Sequence, residues 1–110
     1  VSIDRPEMAE ERPFVEEALP GTRTLISFVV RMNRDNTRSP ARSVANREFH
    51  HTSEIADEAA REISHALEAR GHRAINPSIA FPMEMDRFPG RLWVVSHKRV
   101  AVAAGLGRWD

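Results

Sequence analysis

The chain contains no cysteine in its 110 residues. That excludes, for this segment alone, a disulfide framework, a thiol nucleophile, a cysteine-ligated zinc site and a protein-held iron–sulfur cluster. Net charge is also absent, because 16 basic residues face 16 acidic ones. A balanced chain has no electrostatic footprint for a nucleic-acid duplex and no polybasic membrane anchor. No apolar run approaches the roughly 20 residues of a spanning helix, and the first residues are acidic where a secretory signal would be basic and then apolar. These absences predict a soluble, cytoplasmic segment. No Walker loop, nucleophile elbow or catalytic-triad spacing is present.

Lysine is nearly missing as well: Lys98 stands against 15 arginines. The guanidinium fork suits phosphate or carboxylate, although a GC-rich genome produces the same bias without function. Charge is unevenly spread. Residues 1–20 carry Asp4, Glu7, Glu10, Glu11, Glu16 and Glu17 against Arg5 and Arg12, whereas residues 31–47 carry five arginines against Asp35. Pairing between the two stretches is the plainest expectation.

In chain order, residues 7–19 read as a short acidic helix interrupted by Pro13 and stopped by Pro20-Gly21. Residues 22–32 (TRTLISFVVRM) are rich in β-branched residues, with an apolar centre too continuous for a half-exposed ribbon; they predict a strand inside a sheet. Residues 33–40 read as a polar loop. Residues 41–70 are almost free of breakers, with Ile55, Ala59, Ile63, Ala66 and Leu67 at helical spacing. They form one long helix, or two joined near His50-His51-Thr52 with Ser53 as a fresh N-cap, and Gly71 is the stop. Residues 72–76 then read as a short strand, which implies a β-α-β crossover and parallel pairing. Residues 77–92 hold Pro82, Met83, Met85, Phe88 and Pro89-Gly90, the composition of a long apolar loop that could wall a pocket.

The last segment has two incompatible readings. As a strand, residues 99–104 lead into Gly105-Leu106-Gly107, the beginning of a dinucleotide-binding fingerprint whose third glycine slot holds Asp110. As a helix, Ser96 caps residues 97–104 and Gly105 ends them in a left-handed turn. The alanine content favours the helix. Gly105 and Gly107 at a helix end would allow a large planar ligand to approach the backbone, with Met83, Met85, Phe88 and Trp93 as apolar cover. Core packing and a plain helix stop are the ordinary explanations of the same residues. His50 and Glu54 share a helix face, but without a third ligand no metal site is expected.

Four stretches together resemble a family. They are LPGTRTLISFVV from Leu19, SPARSVANREFHH from Ser39, LEARGHRA from Leu67 and SHKRVAVAAGLG from Ser96. Their order is similar to the N-terminal part of the epoxyqueuosine reductase and reductive dehalogenase group of iron–sulfur proteins. The A-G-L-G turn at Ala104-Gly105-Leu106-Gly107 is the most specific element, and the likeness runs from Leu19 to Arg108.

The resemblance implies an α/β (α+β) domain with a nitroreductase-like sheet and packed helices. Residues 1–110 would be one cofactor-binding-like domain, truncated, that binds a corrinoid (cobalamin) in several members. A cysteine-rich ferredoxin-like domain carrying the clusters would follow beyond residue 110. The lack of an initiating Met and the ending on Arg108-Trp109-Asp110 fit a piece of a longer polypeptide. Implied ligand contacts are Gly105, Leu106 and Gly107, then His97, Arg91 and Met83. Two departures stand out: Asp110 replaces a further glycine, and the slot of an acidic proton donor falls near Arg91, with Asp86 the closest carboxylate. The expected function is therefore the corrinoid-binding-like domain of a cytosolic oxidoreductase, partnered by its cluster domain. The alternatives are a non-catalytic interaction or homodimerisation module and a truncated dinucleotide-binding fragment.

Overall fold

The computed structural model describes residues 1–77 and 95–108. Its element order is a short 3₁₀ helix Pro6–Met8, then α1 (Arg12–Ala18), α2 (Arg34–Thr37), α3 (Arg42–Ala69) and α4 (His97–Ala103). The chain divides into two compact units, Val1–Phe28 with Pro77–Asp110, and Val29–Asn76.

The α/β expectation is overturned: the described residues are mostly helical and contain no strand or sheet. Residues 22–32 form neither helix nor strand, and their pairing among the described residues is limited to an isolated antiparallel bridge between Ser2 and Thr24. Around it Ile3 N donates to Arg23 O at 2.9 Å and Leu25 N to Val1 O at 2.8 Å. A strand exists only where a neighbour completes its hydrogen bonds. Beyond Leu25 the described residues offer none, and Ile26 and Val29 stand 58% and 73% exposed. Residues 72–76 likewise form no strand, so the β-α-β crossover is absent.

The first unit is built around Ile3, Met8, Val15, Val95 and Val100, with Val1, Leu25 and Ala103 packed on that cluster. Met8 is fully buried, and removing such a side chain from water contributes about 1.5–3 kcal/mol. The acidic helix expected over 7–19 is split in two, since Pro6 opens the 3₁₀ turn and Pro13 sits in the first turn of α1. There its missing N–H costs nothing, so Pro13 helps to begin the helix that it was expected to interrupt. Gly21 makes the following turn at φ 82°.

In the second unit, α3 runs unbroken for 28 residues through His50-His51-Thr52. Ser53 starts no new helix; its hydroxyl donates to the Phe49 carbonyl at 3.0 Å, one turn back. The loop expected over 33–40 contains α2, because the Asn33 side chain accepts from Asn36 N at 2.9 Å and caps it. Helix α3 ends in a Schellman motif, with Gly71 N donating to Glu68 O and His72 N to Leu67 O, and Gly71 at φ 87°.

Candidate functional site

The last helix settles the two readings of its segment. Ser96 caps α4, its hydroxyl accepting from Arg99 N at 3.3 Å. Residues 97–103 are helical, so the strand that a dinucleotide fingerprint needs before its glycines is absent.

Residues 5–12 clamp α4 at both ends. The Glu11 carboxylate, 1% exposed, accepts from Ser96 N at 3.3 Å and lies 4.0 Å from the Arg99 guanidinium. A negative charge there also complements the first turn of the helix. Arg99 is in addition paired with Glu10, whose hydrogen bond and charge together raise its pKa above the usual guanidinium value. At the other end, Arg5 donates to the Ala103 carbonyl at 3.0 Å. Arg12 fixes the clamp by donating to the carbonyls of Ile3 at 2.8 Å, Asp4 at 2.7 Å and Arg5 at 3.2 Å. Nothing in the spacing of Arg5, Glu11 and Arg12 marks them out in the sequence, where they belong to what reads as a solvated charge run.

The clamp presents the turn after α4. Gly105 N donates to Val102 O at 3.0 Å and Leu106 N to Ala101 O at 2.9 Å, a second Schellman motif, with Gly105 at φ 86°. The backbone alone therefore requires glycine at 105. Gly107 is different. It has no positive φ, and among the described residues no atom beyond its chain neighbours lies within 4 Å of where its Cβ would stand. Gly105, Leu106 and Gly107 are all exposed. His97 is the exposed first residue of α4, at the opposite end of the helix from the glycines. Met83 and Arg91, like the apolar loop to which they were assigned, fall outside the described residues.

The second unit holds an open cleft of about 460 Å³ lined by Asn36, Ser43, Val44, Arg47, Glu48 and His51. Glu48 orders it, accepting from Asn33 N and Asn36 Nδ2, each at 3.3 Å, and from Thr52 Oγ1 at 3.1 Å. The Asn36 hydrogen bond, with smaller help from Thr52, Asn33 and the His51 charge, holds the Glu48 carboxyl below its ordinary pKa against the opposing effect of desolvation. His50 packs edge-on against Phe49 with ring centroids 5.7 Å apart. Among the described residues no three His, Asp or Glu side chains gather as a metal ion would need, and no helix is long and apolar enough to cross a membrane.

No family model, curated protein or solved structure matches the chain.

Proposed function

We propose that this chain is the cofactor-facing domain of an oxidoreductase resembling the epoxyqueuosine reductase group, and that the turn after α4 is where it meets a corrinoid. Gly107 is the observation that carries the reading. Gly105 is explained by its left-handed backbone, but neither backbone angle nor local crowding among the described residues calls for glycine two positions later. A ligand lying against the turn would give the missing Cβ a purpose, because it could approach the main chain directly.

The turn fits such a group in one further respect: it is exposed and is held by a buried carboxylate and three arginines, so its shape is set before any ligand arrives. A corrinoid, when bound, supplies the redox-active metal centre. The chain's own part is to seat the ligand's edge on Gly105-Leu106-Gly107, with the Leu106 side chain, 45% exposed, available as an apolar contact. Electrons would come from clusters held by cysteines that this chain lacks.

The test is retention of added hydroxocobalamin by the full-length protein through gel filtration, read from the visible spectrum. Gly107→Val should weaken retention by about tenfold or more while leaving the far-UV circular dichroism unchanged. No retention under either oxidising or reducing conditions would remove the reading.

A second reading has its own support. Ile26 and Phe28, in the first unit, are 58% and 37% exposed beyond its isolated bridge, and exposed apolar chain without a strand partner is the usual material of an interaction or dimerisation surface. A light-scattering mass of two chains that falls to one in Ile26→Lys would favour it.

A further inference from the structure

The arginines of residues 31–47 are used by neither reading. Arg31, Arg34, Arg38, Arg42 and Arg47 all belong to the second unit. None of their side chains makes a hydrogen bond or ion pair among the described residues. By contrast, acidic groups of the first unit are engaged within it: Glu7 with Arg5, Glu10 with Arg99, and Glu16 with the Gly21 amide. Over residues 31–48 the acidic groups are Asp35 and Glu48, which leaves a surplus of three positive charges from the five arginines. Glu48 is already spent on Asn33, Asn36 and Thr52. Like charges set close together along one short stretch of chain repel, and a counter-charge supplied from outside relieves them.

The cleft that one of them, Arg47, lines is furnished for such a counter-charge. Ser43, Arg47 and His51 recur at every fourth residue of α3, so they line one face of it, opposite Asn36 of α2. The Ser43 hydroxyl and the Arg47 guanidinium are both without hydrogen-bond partners among the described residues. We propose that this cleft binds the phosphate group of a small-molecule ligand, with Arg47 as its fork and Ser43 and His51 as flanking donors. A phosphate group carries up to two charges at neutral pH and answers the surplus better than a monoanionic carboxylate. The Glu48 carboxylate on the cleft wall repels an anion, so the phosphate sits on the Ser43–Arg47 side. A nucleic-acid strand is the poorer occupant, because the basic residues form a short cluster in a chain of zero net charge.

The 110-residue chain should be titrated with inorganic pyrophosphate at constant ionic strength and followed by nitrogen–proton NMR. Saturable shifts centred on Ser43, Arg47 and His51 are expected. Arg47→Gln should weaken the affinity about tenfold or more, and Arg47→Lys by less, because it keeps the charge and loses the fork. Arg23→Gln, in the other unit, should leave it unchanged. The proposal is overturned if no saturable shift occurs, if Arg23→Gln weakens binding as much as Arg47→Gln, or if heparin binds and pyrophosphate does not. Arg47 is exposed on the helix, and the far-UV circular dichroism of each variant separates lost binding from lost structure.

Discussion

The two units reach order by opposite routes. The first assembles a core from pieces far apart in sequence: Met8 and Val15 meet Val95 and Val100, and Glu11 reaches across to Ser96. The second is dominated by one 28-residue helix whose own backbone hydrogen bonds are local, and no apolar side chain of that unit is among the buried ones. Phe49 and Ile55 are 57% and 44% exposed. A helix of that length can stand largely on intrinsic propensity and good ends, whereas seven-residue helices such as α1 and α4 cannot and depend on packing. Substitutions of the same chemical kind should therefore have unequal effects in the two units.

The largest expected difference is in the core. Met8→Ala should cost the first unit about 2–5 kcal/mol, seen as lost amide hydrogen-exchange protection in α1 and α4 with α3 little changed. Equal loss in both units would break the contrast. Next comes Glu11→Ala, which leaves the Ser96 amide without its acceptor and deprives Arg99 of a neighbouring buried carboxylate; a cost of about 1–3 kcal/mol in urea unfolding is expected.

Gly105→Ala and Gly71→Ala sharpen the comparison, since both glycines hold left-handed Schellman positions, one in each unit. Each should lose roughly 1–2 kcal/mol locally. In the first unit that loss should spread to the core through α4, whereas in the second it should fray only the last turn of α3. Glu48 gives a smaller, pH-dependent effect. Its folded-state pKa is depressed, so its contribution is complete above the unfolded value and disappears as the pH falls through the folded one. Acidification below the ordinary carboxylate range should loosen the Asn33 and Asn36 amides in NMR spectra, and Glu48→Gln should remove that pH dependence. Phe49→Ala and Gly107→Val should be the mildest for stability, within about 0.5 kcal/mol by thermal unfolding.

How much was legible in the sequence follows the same division. The long helix, its glycine stop, the Ser96 cap and the left-handed Gly105 turn could all be read from residues within a few positions of one another. The run at residues 22–32 reads as a strand because its side chains favour one, yet pairing depends on a neighbour, and Ser2 meets it only at Thr24. Helix α2 was missed because Asn33 and Asp35, which start it, are also ordinary loop residues. At the candidate site the glycines were visible as a motif, while the clamp of Arg5, Glu11 and Arg12 was not.

The absence of cysteine, the zero net charge and the local helix signals belong to the sequence by itself. They depend on which residues are present or on neighbours within one or two turns. Tertiary structure decided which unit owns a core and why Glu11 is buried. Both depend on groups distant in the chain, and no spacing of residue types encodes those contacts.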